Sequence, residues 1–336
     1  MKKISLLLCT IFLMLTSCDK DKDKIIDLLD DIPDAAFKTY CLQNFDTDGD
    51  GRLSTGEAYG VTQMDVNKMG ITSLEGLHLF PQLSRLYCGD NPLAALDLSG
   101  SPALEVLFCG RCGLKELNLD KNFALKWLVC VGNELSSLTL KNKPQLFSLN
   151  CNNNKLEHLV LSDNPILEEI DCSFNQLASL DVSGCTALET FRCNNNRLAS
   201  LDVSNNSVLE DLFCYENELI SLKITNPTLS YLHCGKNNLS DLDTSDTPEL
   251  TNIYCPYNQL ATLDLSTNTK LTNIDAGTNQ LVTVDISESR ALERLNLYWN
   301  SDLRAIYVWD DFNFSKPQKS IGHIVIPDRA RFALKQ

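Results

Sequence analysis

The chain is poor in the residues that carry out chemistry. Its 336 residues include four histidines, and His78, His158, His233 and His323 stand too far apart to offer metal-ligand spacing. No nucleophile elbow, phosphate-cradling loop or H-E-x-x-H segment occurs, so the chain reads as non-enzymatic. Positive charge is scarce too: 29 Lys and Arg face 44 Asp and Glu, a net charge of −15. Such a surface repels phosphate backbones and argues against a nucleic-acid partner. It remains compatible with a basic protein, a neutral glycan or simple solubility. Beyond the first 15 residues no apolar run is long enough to cross a bilayer as a helix, and residues 61–310 carry no helical amphipathic pattern.

Cysteine, by contrast, is plentiful and regular. Cys88, Cys109, Cys130, Cys151, Cys172, Cys193 and Cys214 follow one another at 21 residues, then Cys234 one residue early, then Cys255. Around each the chain reads L-x-x-L-x-C-x-x-N-x-L-x-x-L-D-L-S plus four variable residues, in eleven units that begin at Leu83, Leu104, Leu125, Leu146, Leu167, Leu188, Leu209, Leu229, Leu250, Leu271 and Leu292. An imperfect unit opens the series at Val61. Self-similarity at this period is the signature of a solenoid in which each turn buries its neighbour's apolar face. Both L-x-x-L-x-C and L-x-x-L-D-L place two inward residues around one outward residue, the period of a strand. Each turn is therefore expected to carry two strand edges, stacked in parallel, and eleven turns at about 4.8 Å extend roughly 50 Å.

The columns of this repeat have readable roles. The cysteine slot becomes Ala276 and Leu297 in the last units, so it selects a small to medium apolar side chain. Free buried cysteine meets that need. Equivalent residues on adjacent parallel strands lie about 4.8 Å apart, whereas disulfide Cβ atoms prefer about 3.8 Å; the column is expected to stay reduced. The asparagines Asn91, Asn133, Asn154, Asn175, Asn196, Asn217, Asn237, Asn258, Asn279 and Asn300, with Cys112 replacing one, are expected to satisfy backbone groups at a tight bend. Asp97, Asp181, Asp202, Asp243, Asp264 and Asp285 share another column, where Asp bonds nearby turn amides.

Leucine, cysteine and asparagine in these registers resemble bacterial leucine-rich repeats, and the 21-residue form is similar to the nested class called IRREKO in its cysteine variant. The resemblance covers roughly residues 61–310. It implies a leucine-rich repeat solenoid with a binding role, a small helical N-terminal cap and a β-type C-terminal cap, the latter expected over residues 311–336.

Residues 1–18 look like a bacterial lipoprotein signal: Lys2 and Lys3, an apolar stretch from Ile4, then Leu15-Thr16-Ser17-Cys18. Cys18 would be acylated and would anchor the protein to a membrane. Residues 19–32 read as a charged tether. Acidic residues right after the lipid cysteine resemble the signal that sends some lipoproteins to the outer face of the outer membrane; a periplasm-facing anchor is the alternative. Residues 33–60 hold a helix followed by DTDGDGRLSTGE, in which Asp46, Asp48, Asp50, Arg52, Ser54 and Glu57 occupy positions 1, 3, 5, 7, 9 and 12 of an EF-hand loop and Gly51 takes the sharp turn. This oxygen-only set suits Ca2+. One copy stands alone, which disfavours a dockerin or a paired sensor and favours a structural ion in the cap.

The outward positions beside the cysteine vary most. They form one aromatic group, Tyr87, Phe108, Trp127 and Phe147, and a second, Phe213, Tyr215, Tyr231, His233, Tyr254 and Tyr257, with Tyr298 and Trp299 beyond. Between them lie Glu168, Glu169, Asp171, Glu189 and Arg192. Rigid aromatic rows make good anchors. The expected function is thus a monomeric, surface-anchored binding protein that takes an unidentified protein ligand, in adhesion for instance, through the second group. Glycan binding by the same rings is the alternative.

Overall fold

The computed structural model describes residues 27–334 apart from 94 and 320; the signal, Cys18 and most of the tether lie outside the described residues. The repeat units build a coil whose principal wall is a 13-stranded parallel sheet. It starts at Gln63–Asp65 and Arg85–Tyr87, runs through one strand per turn to Arg294–Asn296, and ends on His323–Val325. Nearly every strand is three residues long, with the central residue buried. Leu149, Ile170, Phe191 and Leu212 are consecutive centres in register, and their flanking residues face outward.

The chain enters its bend directly after each strand, and the cysteine there is fully buried. Twelve described cysteines are free and buried, and burial pushes the Cys130 and Cys214 thiols up to about 12. At neutral pH the thiols of the 21-residue column are therefore protonated packing groups.

Three residues beyond each cysteine the asparagine ladder closes the bend. Asn196 Nδ2 donates to the carbonyls of Cys193 in its own turn and Cys172 in the preceding one, at 3.0 and 3.1 Å, while its Oδ1 accepts from Leu177 N at 3.0 Å. One side chain thus satisfies three buried backbone groups across two turns. The ladder is interrupted at Cys112, whose thiol donates to Cys88 O at 3.2 Å but offers no oxygen to Leu93 N, which turns to Asn91 O instead. Cys112→Asn should restore the missing bonds and raise stability by about 1 kcal/mol, read as a higher urea midpoint with unchanged slope. A lower midpoint would show that the turn has repacked around sulfur.

The second edge differs from expectation. Instead of one continuous ladder it forms three pieces: Ser137–Thr139 with His158–Val160, Ser200–Asp202 with Ser221–Lys223, and a four-stranded piece from Thr262–Asp264 to Arg331–Leu334. Each segment is short and runs at once into a turn, in several of which the column Asp accepts from the amide two residues on, as Asp202 does from Ser204 N at 2.9 Å. A small rotation there is enough to lose ladder bonds.

A second polar column lines the opposite corner, at positions that look variable in sequence. Ser101, Asn122, Lys143, Asn164, Cys185, Asn206, Asn226, Thr247, Asn268 and Ser289 are all buried. Its asparagines donate into the preceding turn, as Asn206 Nδ2 does to Val182 O and Cys185 O at 3.0 and 2.7 Å. Lys143 buries its stem there and places its ammonium 4.8 Å from the centre of the Phe123 ring.

Both ends are closed. Leu29 and Ile32 are buried, so the N-terminal cap reaches back into the segment that composition marks as tether. Helix α1 (Ala35–Phe45) is capped by Asp34, whose Oδ1 takes two helix amides while Oδ2 takes Thr72 N at 2.8 Å. That carboxylate ties cap to coil. At the other end Phe312 packs on Trp309 and Phe332, with ring centres 5.2 and 4.8 Å apart, and the last strands extend both edges as a β-type cap.

Candidate functional site

Two constellations stand out, one at the N-terminal cap and one on the principal sheet. The first lies between α1 and helix α2 (Thr55–Tyr59). The carboxylates of Asp46, Asp48 and Asp50 converge, with one oxygen of each within 4.8 Å of the others. Backbone amides hold them in place: Asp46 Oδ1 accepts from Gly49 N at 2.7 Å and Oδ2 from Gly51 N at 2.9 Å. Gly51 has φ +82°, a region open chiefly to glycine. Ser54 and Glu57 form a reciprocal cap at the start of α2, and Glu57 also reaches across the loop to Thr47 N at 2.6 Å. The hydrogen bonds from Ser54, then Thr47, hold Glu57 down to about 2. Arg52 supplies its backbone at the remaining loop position. An all-oxygen set with three convergent carboxylates fits a hard divalent cation.

The second constellation is built by the strand register. Phe213, His233 and Tyr254 are neighbours in one outward row; Asp211, Tyr231, Asn252, Asn273 and Arg294 are neighbours in the next. Rings therefore meet both along and between rows. Phe213 stacks on Tyr231 at 4.9 Å, Tyr215 on His233 at 4.3 Å, and Tyr254 touches both Tyr231 and His233, at 5.4 and 5.6 Å. Arg192 lies over Phe213 at 5.0 Å. Because the rings cover one another, Phe213, Tyr215, Tyr231, His233 and Tyr254 are half-buried, and burial lowers the His233 pKa so that the imidazole is neutral at pH 7. Tyr257 is placed differently: it is exposed and sits off the sheet, on the bend. The other aromatic group is present as two separate pairs, Tyr87 with Phe108 at 5.1 Å and Trp127 with Phe147 at 5.8 Å.

One feature of the bend has only a weak sequence signal. Two residues beyond each cysteine slot the backbone is left-handed, at Asp90, Arg111, Gly132, Asn153, Phe174, Asn195, Glu216, Lys236, Tyr257, Thr278 and Trp299. Glycine and asparagine suit that conformation, whereas bulky side chains are outliers in it. The result is a ridge beside the sheet with one projecting side chain per turn. Asn195, Glu216 and Lys236 bond to one another along it.

No family model matches the chain, and no curated protein sequence does. Solved structures do. The functional domain of InlJ from Listeria monocytogenes, described as including a cysteine ladder, superposes with a TM-score of 0.76 and 27% identity over 92% of this chain and 72% of that one. The internalin InlF from Listeria monocytogenes gives 0.61 and 17% over 87% and 99%. YopM from Yersinia enterocolitica gives 0.52 and 25% over 82% and 60%. The fold is a leucine-rich repeat solenoid, and these three solved structures are of bacterial proteins.

Proposed function

We propose that this is a non-enzymatic, lipid-anchored binding protein that captures a protein ligand on the face of its principal sheet, with Ca2+ held as a structural ion in the Asp46–Glu57 loop. The observation that carries the reading is the interlocked ring surface of Phe213, Tyr215, Tyr231, His233 and Tyr254. Rings held in place by strands lose little entropy on binding, and each can bury a large apolar area at an interface. Likeness to the functional domain of InlJ supports a binding role. The signal-like residues 1–18 support acylation at Cys18 and an outer-membrane, cell-surface location.

The ring surface is tested with the full chain displayed on cells. Phe213→Ala, Tyr231→Ala and Tyr254→Ala together should abolish retention of any protein captured by the unaltered chain, with the circular-dichroism melt still cooperative. Equal retention removes the face from consideration, and saturable retention of a neutral glycan on the same rings would replace the protein ligand by a sugar. In the same cells Cys18→Ala should move the chain out of the membrane fraction; persistence there would refute the anchor.

The ion makes a separate prediction. Chelation should lower the melting temperature, and Glu57→Gln should remove that response; identical melts with and without chelator would refute a structural ion. Glu57 also sets a pH dependence. Its folded pKa is depressed to about 2 from 4.5, so its contribution is complete above about pH 4.5 and is lost as pH falls through 2. Without calcium, Glu57→Gln should flatten the acid limb of the stability profile.

A further inference from the structure

Three observations meet at the C-terminal end of the sheet face. The first is a cavity of about 530 Å³ bordered by Tyr254, Tyr257, Asp275, Arg294, Asn296 and Trp299. It opens where the position after the cysteine slot is Gly235, Pro256 and Gly277 in three successive turns, between Tyr215 and Tyr298. Backbones approach closely there: a Cβ on Gly277 would lie 3.2 Å from Tyr298 O. Its volume falls within the range of small-ligand sites.

The second observation is the ridge that walls it. Tyr257 and Trp299 hold left-handed backbone, at φ 55° and 59°, and are 56% and 71% exposed. The left-handed position recurs in every turn, and in these two turns it holds a large exposed ring over the cavity. The third is charge. Arg294 is exposed and enters no ion pair among the described residues, with neutral Asn273 beside it on one side and His323 on the other. Asp275 is held in place by Gly277 N and Asn296 Nδ2, both at 3.0 Å to its Oδ1.

We infer that this cavity is a second ligand site, specific for an acidic sugar: a pyranose that carries a carboxylate. The exposed rings offer flat apolar faces to the C–H face of a pyranose. The amides of Asn273 and Asn296, the Asp275 carboxylate and the Thr278 hydroxyl supply donors and acceptors for ring hydroxyls. Arg294 pairs with the carboxylate in the two-pronged geometry that guanidinium and carboxylate share. A phosphate would want a cluster of cations or amides, and among the described residues Arg294 is the one Lys or Arg that borders the cavity. The site shares Tyr254 with the ring surface, but Tyr257, Arg294, Asn296 and Trp299 are its own, and it does not rest on the protein-ligand reading.

The test is calorimetric titration of the full chain in detergent with oligogalacturonate, oligoglucuronate and sialyllactose, and with lactose as the uncharged counterpart. At least one acidic saccharide should bind saturably and at least tenfold more tightly than lactose. Arg294→Gln, a surface change that leaves the core untouched, should weaken that binding at least tenfold. Trp299→Ala should abolish it, and Phe213→Ala should leave it unchanged. Silence towards all three acids, equal affinity for lactose, or indifference to Arg294→Gln would overturn the assignment. The Phe213→Ala control keeps this outcome separate from failure of the protein-binding face.

Discussion

Replacing Asn196 by leucine should destabilise the protein by about 2–6 kcal/mol and split its unfolding into two transitions. The substitution preserves approximate size but leaves Leu177 N without its partner and removes one of two side-chain amide bonds at Cys172 O and at Cys193 O, which keep Asn175 Nδ2 and Asn217 Nδ2 at 3.0 Å. All three groups lie inside the stack, where water does not replace the lost bonds; the orphaned amide costs about 1–3 kcal/mol and each lost carbonyl bond about 0.5–1.5 kcal/mol. Solenoid stability is a sum of turns and the interfaces between neighbours. A break in the middle therefore uncouples the halves. Trp127 reports on the N-terminal half and Trp309 on the C-terminal half, so the prediction is checked by tryptophan emission against urea in two single-tryptophan variants carrying the change. A single transition at an unchanged midpoint would mean that the bend finds other partners and that the asparagine ladder is dispensable.

Phe191→Ala should cost about 3–5 kcal/mol, the usual range for removing a buried ring. Phe191 is fully buried at a strand centre whose neighbours in register are Ile170 and Leu212. Three-residue strands cannot shift to fill the void without giving up their ladder bonds. The loss should also reach the surface. Thr190 and Arg192 flank Phe191 on its strand, and Arg192 covers Phe213, so a slack core loosens the first ring of the proposed binding face. Phe191→Leu, which matches the neighbouring centres, should restore most of the stability. The check is a denaturant midpoint for both variants, and equal midpoints for alanine and the unaltered chain would refute close packing at this position.

These costs fall on residues that could be recognised before any coordinates. The leucine, cysteine and asparagine columns recur at fixed spacing because one buried environment repeats, so the architecture was readable from them. Asn196 was legible as a bend residue for that reason, and so were the acidic loop and the aspartates that cap turns. The opposite corner was not. Its occupants alternate in type, Ser101, Asn122, Lys143, Asn164, and this disguises a common buried position as variation. The start of the cap was hidden as well, because Leu29 and Ile32 are buried inside a segment dominated by charge. The cavity near Trp299 was the least legible, since it is built from what Gly235 and Gly277 lack and from backbone that bends left-handed under tyrosine and tryptophan. That the rings from Phe213 to Tyr254 share the outward face of the sheet was legible from the spacing, but their mutual coverage depends on strand register and emerges only in three dimensions.

The alternating corner column carries a consequence for the molecule's length. Asparagine occupies it every second turn, at Asn122, Asn164 and Asn206, and the alternation slips at Asn226, where Cys214 and Cys234 are 20 residues apart. A gene rearrangement that copies or deletes two turns leaves the alternation intact, whereas one that moves a single turn sets like residues side by side, as at Asn206 and Asn226. The natural unit of growth is therefore a pair of turns. The span between the acidic Asp46–Glu57 loop and the cavity can lengthen or shorten in steps of about 10 Å without either end being redesigned.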